Sequence, residues 1–209
     1  MTIHLIEKYG TSCTVDGVSD VARIGPTNRR STQPWVTSAL RRGFFRPTSP
    51  VIPGSIVVTS TDSYIVEAIY RSLVGDNIHH IEARMIRVNQ SINILRLTQT
   101  FDTYGNPALP TWTSVATNVK AVGEYITVAL RADDPGLLPA TVYTIYLQNI
   151  SPAPPPLPAN SPVPLPPDSP VLVGPDRITF GGRNYLVEAA DAVKLPGLLV
   201  CQVSIDLRA

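Results

Sequence analysis

The chain is 209 residues long, with 44% apolar and 16% charged side chains, 21 prolines, 13 glycines and a formal net charge of +1. That length supports one large or two small domains with proper cores. So few charges leave the surface to Ser, Thr, Asn and Pro, a balance found more in β-rich structural proteins than in helical ones. No apolar run approaches the roughly 18 residues of a membrane span, and the opening MTIHLIEKYG lacks the basic-then-apolar order of a signal peptide. The expectation is a soluble protein made in a cytoplasm, with no membrane partner.

Helical periodicity is weak, confined to residues 3–9 and 35–42. Between residues 21 and 61 there is no acidic side chain, yet the window holds Arg23, Arg29, Arg30, Arg41, Arg42 and Arg46. It therefore carries +6, leaving about −5 elsewhere. Only Lys8, Lys120 and Lys194 are lysine among 17 cationic residues, and arginine suits planar, bidentate contacts to carboxylate or phosphate. Two readings stand. The arginines pair with acids of the same fold or of a neighbouring copy, or they form a basic strip on nucleic acid, interleaved with Trp35, Phe44 and Phe45. In the second case phosphates are read rather than bases, since no sequence-reading motif surrounds them. Arg29, Arg30, Arg41, Arg42 and Arg46 are the candidates for a DNA-facing or ring-neighbour-facing surface.

Strand-like runs rich in Val, Ile, Thr and Tyr follow at 55–60, 64–70, 81–88, 92–98, 111–117, 125–131, 141–148, 177–180, 185–189 and 198–207. Within them lies SPAPPPLPANSPVPLPPDSP, residues 151–170, where ten of twenty residues are proline. Without N–H donors and with φ fixed, this stretch predicts an extended polyproline arm. At about 3.1 Å per residue it spans on the order of 60 Å. Pro154, Pro155, Pro156, Pro164, Pro166 and Pro167 are its candidate assembly contacts.

The sequence also repeats itself. Pro53 to Val58, a polar turn and Tyr64-Ile65-Val66-Glu67-Ala68 align with Pro175 to Phe180, a polar turn and Tyr185-Leu186-Val187-Glu188-Ala189. The offset is 122 before the turn and 121 after it, which sets Arg87 opposite Arg208. Each copy reads as a hairpin, and Gly181-Gly182 suits a turn with positive φ. The fold class expected is mainly β: two small barrel- or sandwich-like modules, 1–90 and 91–209, with little helix and a proline-rich extended loop.

Chemistry-bearing motifs are missing. There is no phosphate-binding glycine loop, GxSxG, HExxH or calcium loop. His79 and His80, adjacent on a strand or turn, are expected on opposite faces and so unable to share a metal. Cys13 and Cys201 have no ligand spacing and read as buried thiols. Asp133-Asp134 before Pro135-Gly136 reads as a turn in which Asp caps its own backbone, and Glu67 and Glu188, equivalent in the two copies, serve fold or neighbour contact. No enzyme, no cofactor and no metal is expected.

From Ile92 onward a further order emerges: an arginine-bearing strand (INILRLTQT), an Asp-x-x-Gly-Asn turn (Asp102, Gly105, Asn106), a Trp112 strand and a strand near residues 143–147. Then come Gly174-Pro175-Asp176-Arg177-Ile178, Gly181-Gly182-x-x-Tyr185-x-Val187-Glu188 and the closing LLVCQVSIDLR. Over residues 91–209 this resembles the head-completion proteins of tailed bacteriophages, also called head-closure or head–tail joining proteins. The proline insertion, Pro175 within the motif and the extra N-terminal module depart from that pattern. The resemblance implies a virion neck protein assembled in the host cytoplasm as a ring of six or twelve copies. It would surround the DNA channel, with a portal or adaptor protein on one side and a tail or tail-terminator protein on the other. The alternative is another tail component, such as a terminator, tube or baseplate protein. A carbohydrate-binding module or hydrolase is the remaining class.

Overall fold

The computed structural model describes residues 2–27, 39–98, 104, 106, 109–134, 136–149 and 176–208, the side chains of residues 2, 3 and 133 excepted. Strands β1 (Thr11–Val15), β2 (Val18–Pro26), β3 (Leu40–Phe45), β4 (Ile56–Val58), β5 (Ser63–Val74) and β6 (Asn77–Arg87) close into a barrel in the order β1-β2-β3-β6-β5-β4. Strands β7 (Gln90–Thr98), β8 (Thr111–Tyr125), β9 (Tyr143–Gln148), β10 (Arg177–Phe180), β11 (Arg183–Asp191) and β12 (Leu198–Ile205) close a second in the same order. Helices α1 (Thr2–Tyr9) and α2 (Val128–Asp133) complete the described elements. The mainly β class with two barrel modules and little helix is thus the observed one.

Alternation explains both cores. Cys13 and Val15 on β1 and Ile81, Ala83 and Met85 on β6 point inward, as do Leu199, Cys201 and Val203 on β12, because side chains along a strand take alternate faces. Each fully buried Ile, Leu or Phe contributes about 1.5–3 kcal/mol. The buried thiols are pushed up, Cys13 to about 11 and Cys201 to about 12, chiefly by loss of hydration. Neither should react with Ellman's reagent at pH 8 until denaturant is added. Rapid labelling of the folded chain would place one of them at the surface.

The barrels match residue for residue. Val57 pairs with Tyr64 and Ile178 with Tyr185. Val66 donates its N–H to the Ser55 carbonyl as Val187 does to that of Asp176. Both β5 and β11 bulge at the glutamate, between Val66 and Ala68 and between Val187 and Ala189. Carried round the sheet, the pairings set Met85 at the place of Val203, Phe45 at Leu147, Ala22 at Ala121 and Val15 at Ile94; β1 meets β2 as β7 meets β8 from Thr11 to Cys13 and Gln90 to Ile92, beyond which β7 shifts register against β8.

Two details of the expected repeat are corrected. Val57 corresponds to Ile178 rather than Thr179, so no residue is lost in the turn; the inward-facing pair, not the matching isoleucines, marks the register. Arg87 corresponds to Ile205, not Arg208, because each pairs with the equivalent tyrosine of its module, Tyr64 or Tyr185.

Other local expectations also change. The predicted strand at 125–131 is the end of β8 followed by α2, whose start is capped by the Thr127 hydroxyl accepting from the Leu130 N–H. Instead of a helix reaching residue 42, Leu40–Phe45 is a strand that buries Leu40, Gly43 and Phe45. Strands β1 and β2, unassigned from sequence, form a hairpin on Asp16-Gly17, both at positive φ, the Asp-Gly pair that favours such a turn. Gly181 and Gly182 take the expected positive φ.

The barrels meet through Ile56, Ile65 and Ile86 on the first and Val122, Tyr146 and Leu198 on the second. Lys120 Nζ donates to Ser63 Oγ at 2.8 Å and Gln148 Nε2 to Asp16 Oδ1 at 3.0 Å. In the linker, Asn89 exchanges two hydrogen bonds with the Gly123 backbone. Gly54 and Gly197, both at positive φ, bring their loops into direct backbone contact, with no room for a Cβ on either.

Candidate functional site

Sheet neighbours, not chain neighbours, decide the environment of the arginines. Arg41 shares the inward parity of Gly43 and Phe45 at the end of the first barrel where β2 leaves and β3 enters. There it lines a cup of about 460 Å³ with Thr11, Ile24, Pro26, Thr59 and Tyr64, and its Nη1 donates to the Leu40 carbonyl at 2.9 Å. The same position in the second barrel is Tyr143, which stands edge-on to Tyr125, Phe180 and Tyr185 at 5.3, 5.3 and 5.5 Å. One barrel end is therefore an aromatic plug, and its counterpart is a hydroxyl-lined cup holding a cation.

Arg42 points outward, lies 4.8 Å over the Phe44 ring and donates to Glu82 at 2.5 Å. Arg46 donates to Asp20 through Nη2 at 2.8 Å and Nε at 3.2 Å. Burial alone would raise the Asp20 carboxyl, but hydrogen bonds from Ser49, Arg46 and the Val21 N–H hold it below the usual range. Asp20 lies one residue before the acid-free window and Glu82 on β6, so the fold supplies the carboxylates that the window lacks. Beside Arg42 on the neighbouring strand, Arg84 pairs with Glu67. Arg29, Arg30 and Trp35 lie outside the described residues, as do Pro154, Pro155, Pro156, Pro164, Pro166 and Pro167.

A second cluster, on the other barrel, holds residues that the sequence showed only as part of a motif. Asp176 accepts from Arg96 Nε at 2.9 Å and Nη2 at 2.8 Å. Arg177 donates to Asp206 at 2.8 Å, and its guanidinium lies 3.8 Å over the Trp112 ring, with Arg208 5.0 Å from that ring. The pairing ties residues 206–208 down onto β10. Asp102, Gly105, Gly174 and Pro175 of the motif lie outside the described residues.

The expectation that His79 and His80 lie on opposite faces is overturned. Ser72 pairs with His80 and Leu73 with Ile78, making His79 the extra residue of a bulge. The bulge brings the two imidazoles together, Nδ1 to Nδ1, at 3.0 Å. Burial, then the neighbouring His79, lowers the pKa of His80. Among the described residues no group of three or more His, Cys, Asp or Glu could hold a metal. Asp134 Oδ1 accepts from the Gly136 N–H at 3.0 Å, the turn contact expected of it. Glu188 accepts from Ser204 Oγ at 2.5 Å. Comparison with protein-family models, curated proteins and solved structures finds no match to the chain.

Proposed function

We propose that the chain is a non-enzymatic structural subunit of the neck of a tailed-bacteriophage virion. In this reading it assembles as a ring of identical copies that joins the portal or adaptor of the DNA-filled head to the tail. The observation that carries it is the repeated barrel. The hairpin and closing strand that resemble head-completion proteins are β10 to β12, and β4 to β6 repeat that build pair for pair. Closed barrels leave few free strand edges and make rigid walls, while the connections carry the contacts.

Those connections differ between the copies. The chain from β9 to β10 contains the proline stretch, which suits a docking arm to a neighbour or to the tail. The chain from β2 to β3 contains Arg29 and Arg30 and enters at the barrel end where Arg41 sits. That end faces the DNA channel, and its contacts go to phosphates.

Heads made without the chain should join tails into infectious particles only when purified chain is added; joining in its absence would remove the neck assignment. For the DNA-facing end, Arg41→Ala should weaken binding to duplexes of any sequence alike. It should reduce the slope of log affinity against log salt by about 0.9, the loss of one phosphate contact. An unchanged slope would take Arg41 out of the channel.

A further inference from the structure

Helix α1 is held by its seat rather than by its own length. Eight residues make a helix with little stability in water. This one packs across β2 and β6, buries Ile6 completely, and ends where the Gly10 N–H donates to the Ile6 carbonyl at 2.8 Å. Between helix and sheet lies a cavity of about 250 Å³ lined by Leu5, Ile6, Arg23, Phe44 and His80. Of these five, only His80 changes its charge between about pH 5 and pH 8.

The contact with His79 limits that charge. A hydrogen bond from Nδ1 to Nδ1, here 3.0 Å, needs one ring to donate and the other to accept. The neutral pair makes it, and so does the pair carrying one added proton. With two added protons both Nδ1 atoms are donors, and the rings must part.

The surroundings oppose that second proton. Arg23 lines the same cavity, and Arg42 lies 4.8 Å over the Phe44 ring, itself 5.7 Å from the His80 ring. Glu82 on β6 would favour the proton but is paired with Arg42. On β5 the partner of His80 is the uncharged Ser72, with Arg71 beside it, and α1 carries His4, Glu7 and Lys8 on its exposed side. Burial, then His79, holds the His80 pKa below its ordinary value, with Glu82 opposing and Arg42 adding to the fall.

We propose that His79 and His80 form an acid-sensitive latch: full protonation of the pair parts the rings, hydrates His80 and frees α1 from a first barrel that stays closed. Linkage sets the direction. Undocking exposes His80 and returns it toward about 6.5, so the undocked form binds more protons. Docking is therefore strongest above that value and weakens as pH falls toward the lower, docked one.

The test follows the Ile6 methyl resonance of the intact chain from about pH 8 to about pH 5, with Trp112 fluorescence reporting on the barrels. The ratio of undocked to docked helix should rise about tenfold for each pH unit by which docking lowers the His80 pKa, while the barrels stay folded. His80→Gln should abolish the rise, and His4→Gln, on the exposed side of α1, should leave it. An Ile6 signal that ignores pH overturns the proposal, as does a rise that survives His80→Gln or a helix lost only together with the barrels. Should His80→Gln not fold, the His80 ring proton is titrated instead, in the intact chain and in the chain lacking residues 2–9. It should titrate lower with the helix present than without it; equal values overturn the latch.

Discussion

Asp206→Ala should destabilise the second barrel by about 3–5 kcal/mol, the cost of leaving a buried charge without its partner. The Arg177 and Asp206 side chains are only 6% and 1% exposed. Asp206 also accepts from Arg208 Nε and Nη2, both at 2.8 Å, and from the Arg208 N–H at 2.9 Å. For a chain of this size unfolding as one unit the midpoint should fall by roughly 6–20 °C, followed through Trp112 fluorescence in a Trp35→Phe background. Adding Arg177→Met should recover most of the loss, because the uncompensated charge, not the missing contact, carries the cost. A drop below about 1 kcal/mol, as for exposed pairs, would show that water reaches the cluster.

The same carboxyl predicts an acid limb. Hydrogen bonds from Arg208, then from Arg177, outweigh burial and hold Asp206 well below the usual carboxylate range. A folded pKa below the unfolded one means that the stabilisation is present above about pH 4 and is lost as pH falls toward the folded value. Asp206→Ala should flatten stability against pH in that window. An unchanged limb would move the acid sensitivity to another carboxylate, with Asp20 the next to replace.

Gly197→Ala should uncouple the two barrels. An added Cβ would overlap the Pro53 carbonyl and the Gly54 N, and Gly197 sits at φ +73°. The expected loss is about 2–4 kcal/mol, with calorimetry resolving two transitions where the parent shows one. Gly17→Ala is the control: its φ is +86° but no atom lies within 4 Å of the new Cβ, so only the conformational cost of about 1–2 kcal/mol applies. Equal losses at the two positions would mean that the loops separate without consequence.

Much of the fold was legible because inward residues alternate on the strands that pair. The Tyr-x-Val-Glu-Ala runs were found, and both turned out to bulge at the glutamate. What escaped was hidden by competing signals. Strand β3 carries two arginines and a glycine in six residues, a pattern that hides burial because Arg41 uses its inward position at a barrel mouth. Asp16-Gly17 did announce the β1–β2 hairpin, but the run beside it is only five residues long. Residues 128–131 are apolar enough for a strand, and the Thr127 cap made them a helix. At the candidate surface the arginines were visible while their partners Asp20 and Glu82 were not. Closure of the sheet, rather than proximity along the chain, brings those acids in.

Two barrels of one register in one polypeptide raise the hazard of strand exchange during folding, when β9 could close on the partners of β3 or the reverse. Side-chain volume sorts them. A Cβ on Gly43 would strike the Met85 methyl and the Phe45 ring; Phe45 leaves with β3, so Ile145, which holds the same place in the second barrel, could enter the first only by displacing the Met85 side chain. Gly43 placed opposite Cys201 would leave a hole where Ile145 fills the core. A misassembled barrel is thus either forced to repack Met85 or left hollow, and side-chain volume favours the pairing of each strand with its own half.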